Sequence, residues 1–151
     1  MSTYTAKITW EDVDGAFKTG KFSRAHTWAF DGGIEVPASS SPQVVRVPYS
    51  REDAVDPEEA FIASLSSCHM LTFLFLAYRE KFVVTKYVDD ATGVMAKNAE
   101  NRDWISLVEL HPKITFEGTA PAQADLERLH HRAHEECFIA NSVKTEVRVT
   151  I

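Results

Sequence analysis

The sequence predicts an α+β fold with a mainly antiparallel sheet. Three observations predict it. A run of 19 residues, Ala60 to Tyr78, carries no charge and follows a strong helix-start signal. Strand-like stretches lie before and after it, and a second helical stretch near the C-terminus leads into a last alternating strand. The order is strands, helix, strands, helix, strand, which suits a sheet with helices packed on it better than repeated parallel crossovers.

In chain order, Tyr4 to Trp10 alternates, with Tyr4, Ala6, Ile8 and Trp10 on one side of a strand. Asp14-Gly15 signals a turn. Lys21 to Phe30 reads as a second strand, closed by Asp31-Gly32-Gly33. Pro37 to Asp53 reads as a long loop around a small edge strand at Val44, Val45 and Val47. Asp56 then suits a helix N-cap, Pro57 the first helical position, and Glu59 the third residue of a capping box. Arg79-Glu80-Lys81 ends this helix with positive charge at its C-terminal end. The run is long enough to span a membrane. Ser64, Ser66, Ser67, Cys68, His69 and Thr72 in its middle argue instead for a buried central helix. Val83 to Ala96 and Trp104 to Glu117 read as two long strands joined by a turn at Asn98 to Asp103. Pro121 to Cys137 is helical, with Leu126, Leu129 and Ala133 in phase, and a short helix is expected over Ile139 to Lys144. Thr145 to Ile151 alternates Val147, Val149 and Ile151 with polar residues as a final strand.

At 151 residues the chain is expected to form a single domain, 1–151. A composition of 44% hydrophobic and 25% charged residues supports a packed core. The net charge of -6, with Lys and Arg scattered, argues against a nucleic-acid surface. The N-terminal residues carry no secretory pattern, so a cytoplasmic location is expected, where the only two cysteines stay reduced.

Those cysteines are the residues that can carry chemistry. Cys68 sits between Ser67 and His69 in the apolar helix, where a thiol needs a nearby cation or donor to become a thiolate. Arg24, His26, Arg46, Arg51 and His69 are the candidates. Cys137 follows His130-His131-Arg132-Ala133-His134 and shares a helix face with His130 and His134. That permits a thiol tuned by a histidine, or a zinc site of His130, His134, Cys137 and Cys68. It also permits a plain solvated face for the histidines and buried filler for the thiols. Nothing in the chain calls for a cofactor.

Asp56-Pro57-Glu58-Glu59-Ala60-Phe61, leading to Cys68, resembles the central-helix motif of the OsmC/Ohr family, the osmotically inducible and organic hydroperoxide resistance proteins. Ala133 to Ser142, around Cys137, is similar to that family's second-cysteine motif. The resemblance implies an intertwined homodimer with a long buried central helix and active sites where the subunits meet. It implies a thiol-dependent peroxidase acting on organic hydroperoxides, in which Cys68 attacks the peroxide and becomes a sulfenic acid. Cys137 then closes a disulfide, and an external dithiol reopens it. Glu58 matches the acidic residue that holds the family's catalytic arginine. That arginine normally precedes a glycine in the first hairpin, but Phe17-Lys18-Thr19-Gly20-Lys21 contains none, and Arg24 is the nearest substitute. Phe61, Leu65, Phe73 and Trp28 are candidates for an apolar pocket, or for plain core. The alternative is a protein of the same fold that holds a small ligand or metal without turnover.

Overall fold

Asp56 and Glu59 start the long helix as the motif predicts. In the computed structural model, which describes all residues from Met1 to Ile151, the Glu59 N–H donates to the Asp56 carboxylate at 2.7 Å and the Asp56 N–H to the Glu59 carboxylate at 3.2 Å. Two orphan donors of the first turn are thereby satisfied reciprocally. The helix, α1, runs Pro57–Arg79. The chain divides into two compact units, Met1–Ala60 and Phe61–Ile151.

The first unit holds an antiparallel sheet in the order β1 (Ala6–Thr9), β2 (His26–Phe30) and β3 (Glu35–Ala38). Trp28 sits opposite Ile8 on one side and Val36 on the other. Gly33, at φ 80°, makes the β2–β3 turn, a conformation that favours glycine. Two expectations are corrected here. The second strand starts only at His26, because Arg24 pairs its N–H with the Tyr49 carbonyl at 2.8 Å instead. The edge strand at Val44, Val45 and Val47 does not form. Val44 and Val45 both donate to the Ser41 carbonyl in a turn, and the third strand is Glu35–Ala38 despite Pro37. This unit has almost no apolar core of its own. Ala38 is its one buried hydrophobic residue, and Tyr4, Ile8, Val13, Phe17 and Ile34 are exposed.

In the second unit, α1 and α2 (Gln123–Glu136) pack through Phe73, Leu76 and Ala77 against Leu129 and Ala133. The strands are β4 (Val83–Asp89), β5 (Thr92–Lys97), β6 (Asp103–Leu110), β7 (Pro112–Glu117) and β8 (Glu146–Val149). The β5–β6 hairpin forms as expected, but the two long strands are each cut in two. β4 pairs with β7 in one sheet, and β5-β6-β8 forms another. The cuts fall at Asp90-Ala91 and at His111. There the Asp89 carboxylate takes the His111 N–H at 2.7 Å and the Ser66 hydroxyl, and Pro112 removes a donor. β8 pairs parallel to β6, with Val147 opposite Val108. A second cluster, Leu65, Val108 and Leu110, lies beneath it. The short helix after Cys137 is a single 3-10 turn, Ala140–Ser142.

Candidate functional site

Helix α1 carries Cys68 half-buried, and the C-terminal end of α2 carries Cys137 with 1% exposure. Both are free thiols. The two side chains, 69 residues apart in sequence, are neighbours. The Cys137 thiol is pushed up to about 11, first by burial and then by the Cys68 side chain beside it. The backbone N–H groups of Ala140 and Ile139 pull the other way, Ala140 at 3.4 Å from the sulfur. Asn141 fixes this corner. Its side-chain amide donates to the carbonyls of Glu135 at 2.8 Å and Cys137 at 3.0 Å.

The serines and threonine of α1 have structural partners. Ser64 and Thr72 donate to the carbonyls of Phe61 and Cys68, at 2.8 and 2.9 Å. His69 is no activating cation. It is 1% exposed, and its Nε2 lies 2.9 Å from Nδ1 of His130, itself 2% exposed. Burial lowers both rings to about 4. For His69 the charges of His130 and His134 act in the same direction and Asp89 opposes them. Both rings are therefore neutral near pH 7. His130 is not on a solvated face either. It is buried against Phe73, ring centroids 4.3 Å apart, while His131 is the exposed one, paired with Glu135 at 3.2 Å.

This arrangement also undoes the zinc set. The Nδ1 atom of His130 is spent on His69, and no group of three or more His, Cys, Asp or Glu side chains gathers as metal ligands. Sequence reasoning missed the His69–His130 pair. The one available signal was a histidine inside an otherwise apolar run, which needs a buried polar partner. The expected apolar pocket is also dispersed. Leu65 and Phe73 belong to separate core clusters, with Phe61 packed on the first.

In the first unit, Arg24 donates Nη1 to the Phe22 carbonyl and lies over the Phe22 ring, 3.7 Å from its centroid. It makes no ion pair. Glu58 has its Oε2 buried without a hydrogen-bond partner. The other cations are committed elsewhere. Arg51 forms a forked pair with Asp53 at 2.9 and 2.8 Å, and Arg46 lies over Tyr49. His26 bonds the Arg24 carbonyl through Nδ1 at 2.7 Å and accepts from Trp28 through Nε2 at 3.0 Å, so both ring nitrogens are engaged within the first unit.

Comparison with known proteins agrees with this fold. The family model described as OsmC-like protein matches residues 50–151. An OsmC-like protein of unknown function from Vibrio cholerae is 51% identical, with 100% of this chain and 99% of that chain covered and a TM-score of 0.97. An organic hydroperoxide resistance protein OsmC from Legionella pneumophila is 19% identical, covers 99% of this chain and 95% of its own, and has a TM-score of 0.71. One from Elizabethkingia anophelis, with thiocyanate bound, is 18% identical, covers 99% and 93%, and also scores 0.71. These last two share the fold. No curated protein matches the chain. From the matched C-terminal segment, and from a relative half identical over the full length, the chain belongs to the OsmC-like protein family.

Proposed function

We propose that the protein is a thiol-dependent peroxidase that reduces organic hydroperoxides, using Cys68 and Cys137. One observation carries it: the buried Cys137 thiol neighbours Cys68, although the two come from different helices. In the first step the Cys68 thiolate attacks the outer peroxide oxygen. The O–O bond breaks, the alkoxide takes a proton and leaves as an alcohol, and Cys68 becomes a sulfenic acid. In the second, the Cys137 sulfur attacks the Cys68 sulfur. The S–O bond breaks, the hydroxide leaves as water with the Cys137 proton, and a disulfide remains. An external dithiol then exchanges with this disulfide and is itself oxidised. Because burial holds the Cys137 thiol up at about 11, it must give up its proton to the departing hydroxide as it attacks.

Arg24 and Glu58 are assigned to the same site, Glu58 orienting the guanidinium that favours the Cys68 thiolate. Their state supports this assignment. The Glu58 Oε2 lacks a partner, and Arg24 carries a charge with no acidic partner. We further assign an intertwined homodimer. Leu71, Phe75 and Tyr78 on α1 are exposed, and the first unit lacks an apolar core, so both have surface that water disfavours. A reducing cytoplasm fits two free thiols that must be reset after each turnover.

The test is consumption of an organic hydroperoxide with a lipoyl-type dithiol as reductant. Cys68→Ser should abolish turnover. Cys137→Ser should permit one equivalent of peroxide to react and then stall. Unchanged turnover in Cys68→Ser would sink the proposal.

A further inference from the structure

We propose that His69 and His130 are a positioning pair. Their buried hydrogen bond holds α1 against α2 in the register that brings Cys137 to Cys68, and so governs closure of the disulfide. The inference rests on the peroxidase reading above and concerns its second step.

The geometry is directional. The two rings are parallel within 2°, with centroids 5.3 Å apart and nitrogens 2.9 Å apart. A centroid separation this much longer than the nitrogen contact means that the rings meet edge to edge, nitrogen to nitrogen, not face to face. Such a bond tolerates little rotation or sliding of either helix. Its neighbours are non-directional: Phe73, Leu76 and Ala77 against Leu129 and Ala133, contacts that a core can repack with little loss. Phe73 stacks on His130 and holds the ring in place.

Its position links it to the thiols. His69 follows Cys68 on α1, and His130 lies on α2 seven residues, about two helical turns, before Cys137, the residue that caps the end of that helix. The other polar link between these helices is the exposed group of Glu80 with Arg128 and Arg132.

The pair is also costly, which argues against filler. Whichever ring holds the shared proton, His69 Nδ1 and His130 Nε2 remain buried without partners. Two apolar side chains would avoid that loss. Buried polar pairs that cost stability are best attested as devices that fix register.

The experiment measures closure without peroxide. Reduced protein is equilibrated in dithiothreitol redox buffers, and the Cys68–Cys137 disulfide is quantified by mass, with its rate of formation. His130→Phe should slow closure at least tenfold and make the disulfide easier to reduce by about 30 mV, a tenfold change in a two-electron equilibrium. The double variant His69→Phe with His130→Phe should regain thermal stability yet still close slowly. His130→Asn, which can place a polar atom near the lost Nδ1, should close within threefold of the parent. If His130→Phe does not fold, the double variant and His130→Asn decide. Parent-like rate and potential in the folded double variant overturn the inference and leave the peroxidase reading intact. Closure that simply follows melting temperature across the series does the same. A parent protein that forms no Cys68–Cys137 disulfide overturns both.

Discussion

The backbone N–H of Ala140 lies 3.4 Å from the Cys137 sulfur, and with the N–H of Ile139 it is directed at an otherwise buried thiol. It does not offset burial, which together with Cys68 holds Cys137 up at about 11. Cys68, half-buried, is the reachable thiol. Iodoacetamide at pH 8 should therefore alkylate Cys68 first in the native reduced protein. Cys137 should lag by at least tenfold and gain speed until about pH 11. Peptide mapping of a time course decides this, and equal labelling of the two sites would refute the geometry.

The buried histidine pair predicts an acid-sensitive fold. His69 and His130 are each held at about 4, against 6.5 for a free imidazole. As pH falls below 6.5 the unfolded chain takes up protons that the folded chain refuses until about 4. Over that window the unfolded state binds more protons, so the stabilisation is complete above pH 6.5 and is lost as pH falls toward 4. At about 1.4 kcal/mol per pKa unit, one ring accounts for roughly 3 kcal/mol at most. Urea unfolding at pH 7 and pH 4.5 should show a marked loss. The double phenylalanine variant should lose much less. Parallel pH slopes for the two proteins would contradict the assignment.

What was legible from the residues was local. Asp56, Pro57 and Glu59 announce α1, and they form the predicted cap because all its atoms lie within four residues. The alternation of Val147 and Val149 likewise foretells β8. Long-range relations were not legible. That Asp89 would take the His111 N–H and cut two strands depends on atoms 22 residues apart. The His69–His130 bond spans 61 residues, and no periodicity encodes it. The family motif raised Cys68 and Cys137 as one expected pair, but it carried no sign of the His69–His130 bond.

The capping box makes a stability prediction. Asp56 is buried, and its carboxylate accepts the Glu59 N–H at 2.7 Å. Asp56→Ala leaves that donor without its partner and should cost about 1 kcal/mol, within a typical range of roughly 0.5–2. Asp56→Asn should recover most of it. Urea midpoints at pH 7 check both, and equal losses in the two variants would assign the effect to something other than capping.

Packing at Gly93 gives a second. A Cβ built there would meet Ile62 Cδ1 at 2.5 Å and Cγ1 at 2.9 Å, from α1 onto β5. The obstacle is the far end of a side chain, so Ile62 can move, but it packs on the Leu65 cluster. Gly93→Ala should destabilise by about 1–3 kcal/mol. Adding Ile62→Val should recover part of that loss, because it removes the clashing Cδ1. A Gly93→Ala protein as stable as its parent would mean that Ile62 yields without loss of packing.

The exposed face of α1 tests the proposed assembly. Leu71, Phe75 and Tyr78 follow one another at spacings of four and three along the helix, and all three are exposed in a single chain. An apolar helix that is only partly covered by its own chain needs a cover from elsewhere. The proposed cover is a second copy, which would place the Cys68 region of α1 at the subunit boundary. The parent protein should then run in light scattering at twice the 17.0 kDa of one chain. A charge buried in such a contact without a partner is strongly unfavourable. Leu71→Glu and Phe75→Glu should therefore shift the species toward monomer and lower peroxide turnover along with it. A parent that is monomeric at micromolar concentration, or charged variants that stay dimeric, would place the partner surface somewhere other than this helix face.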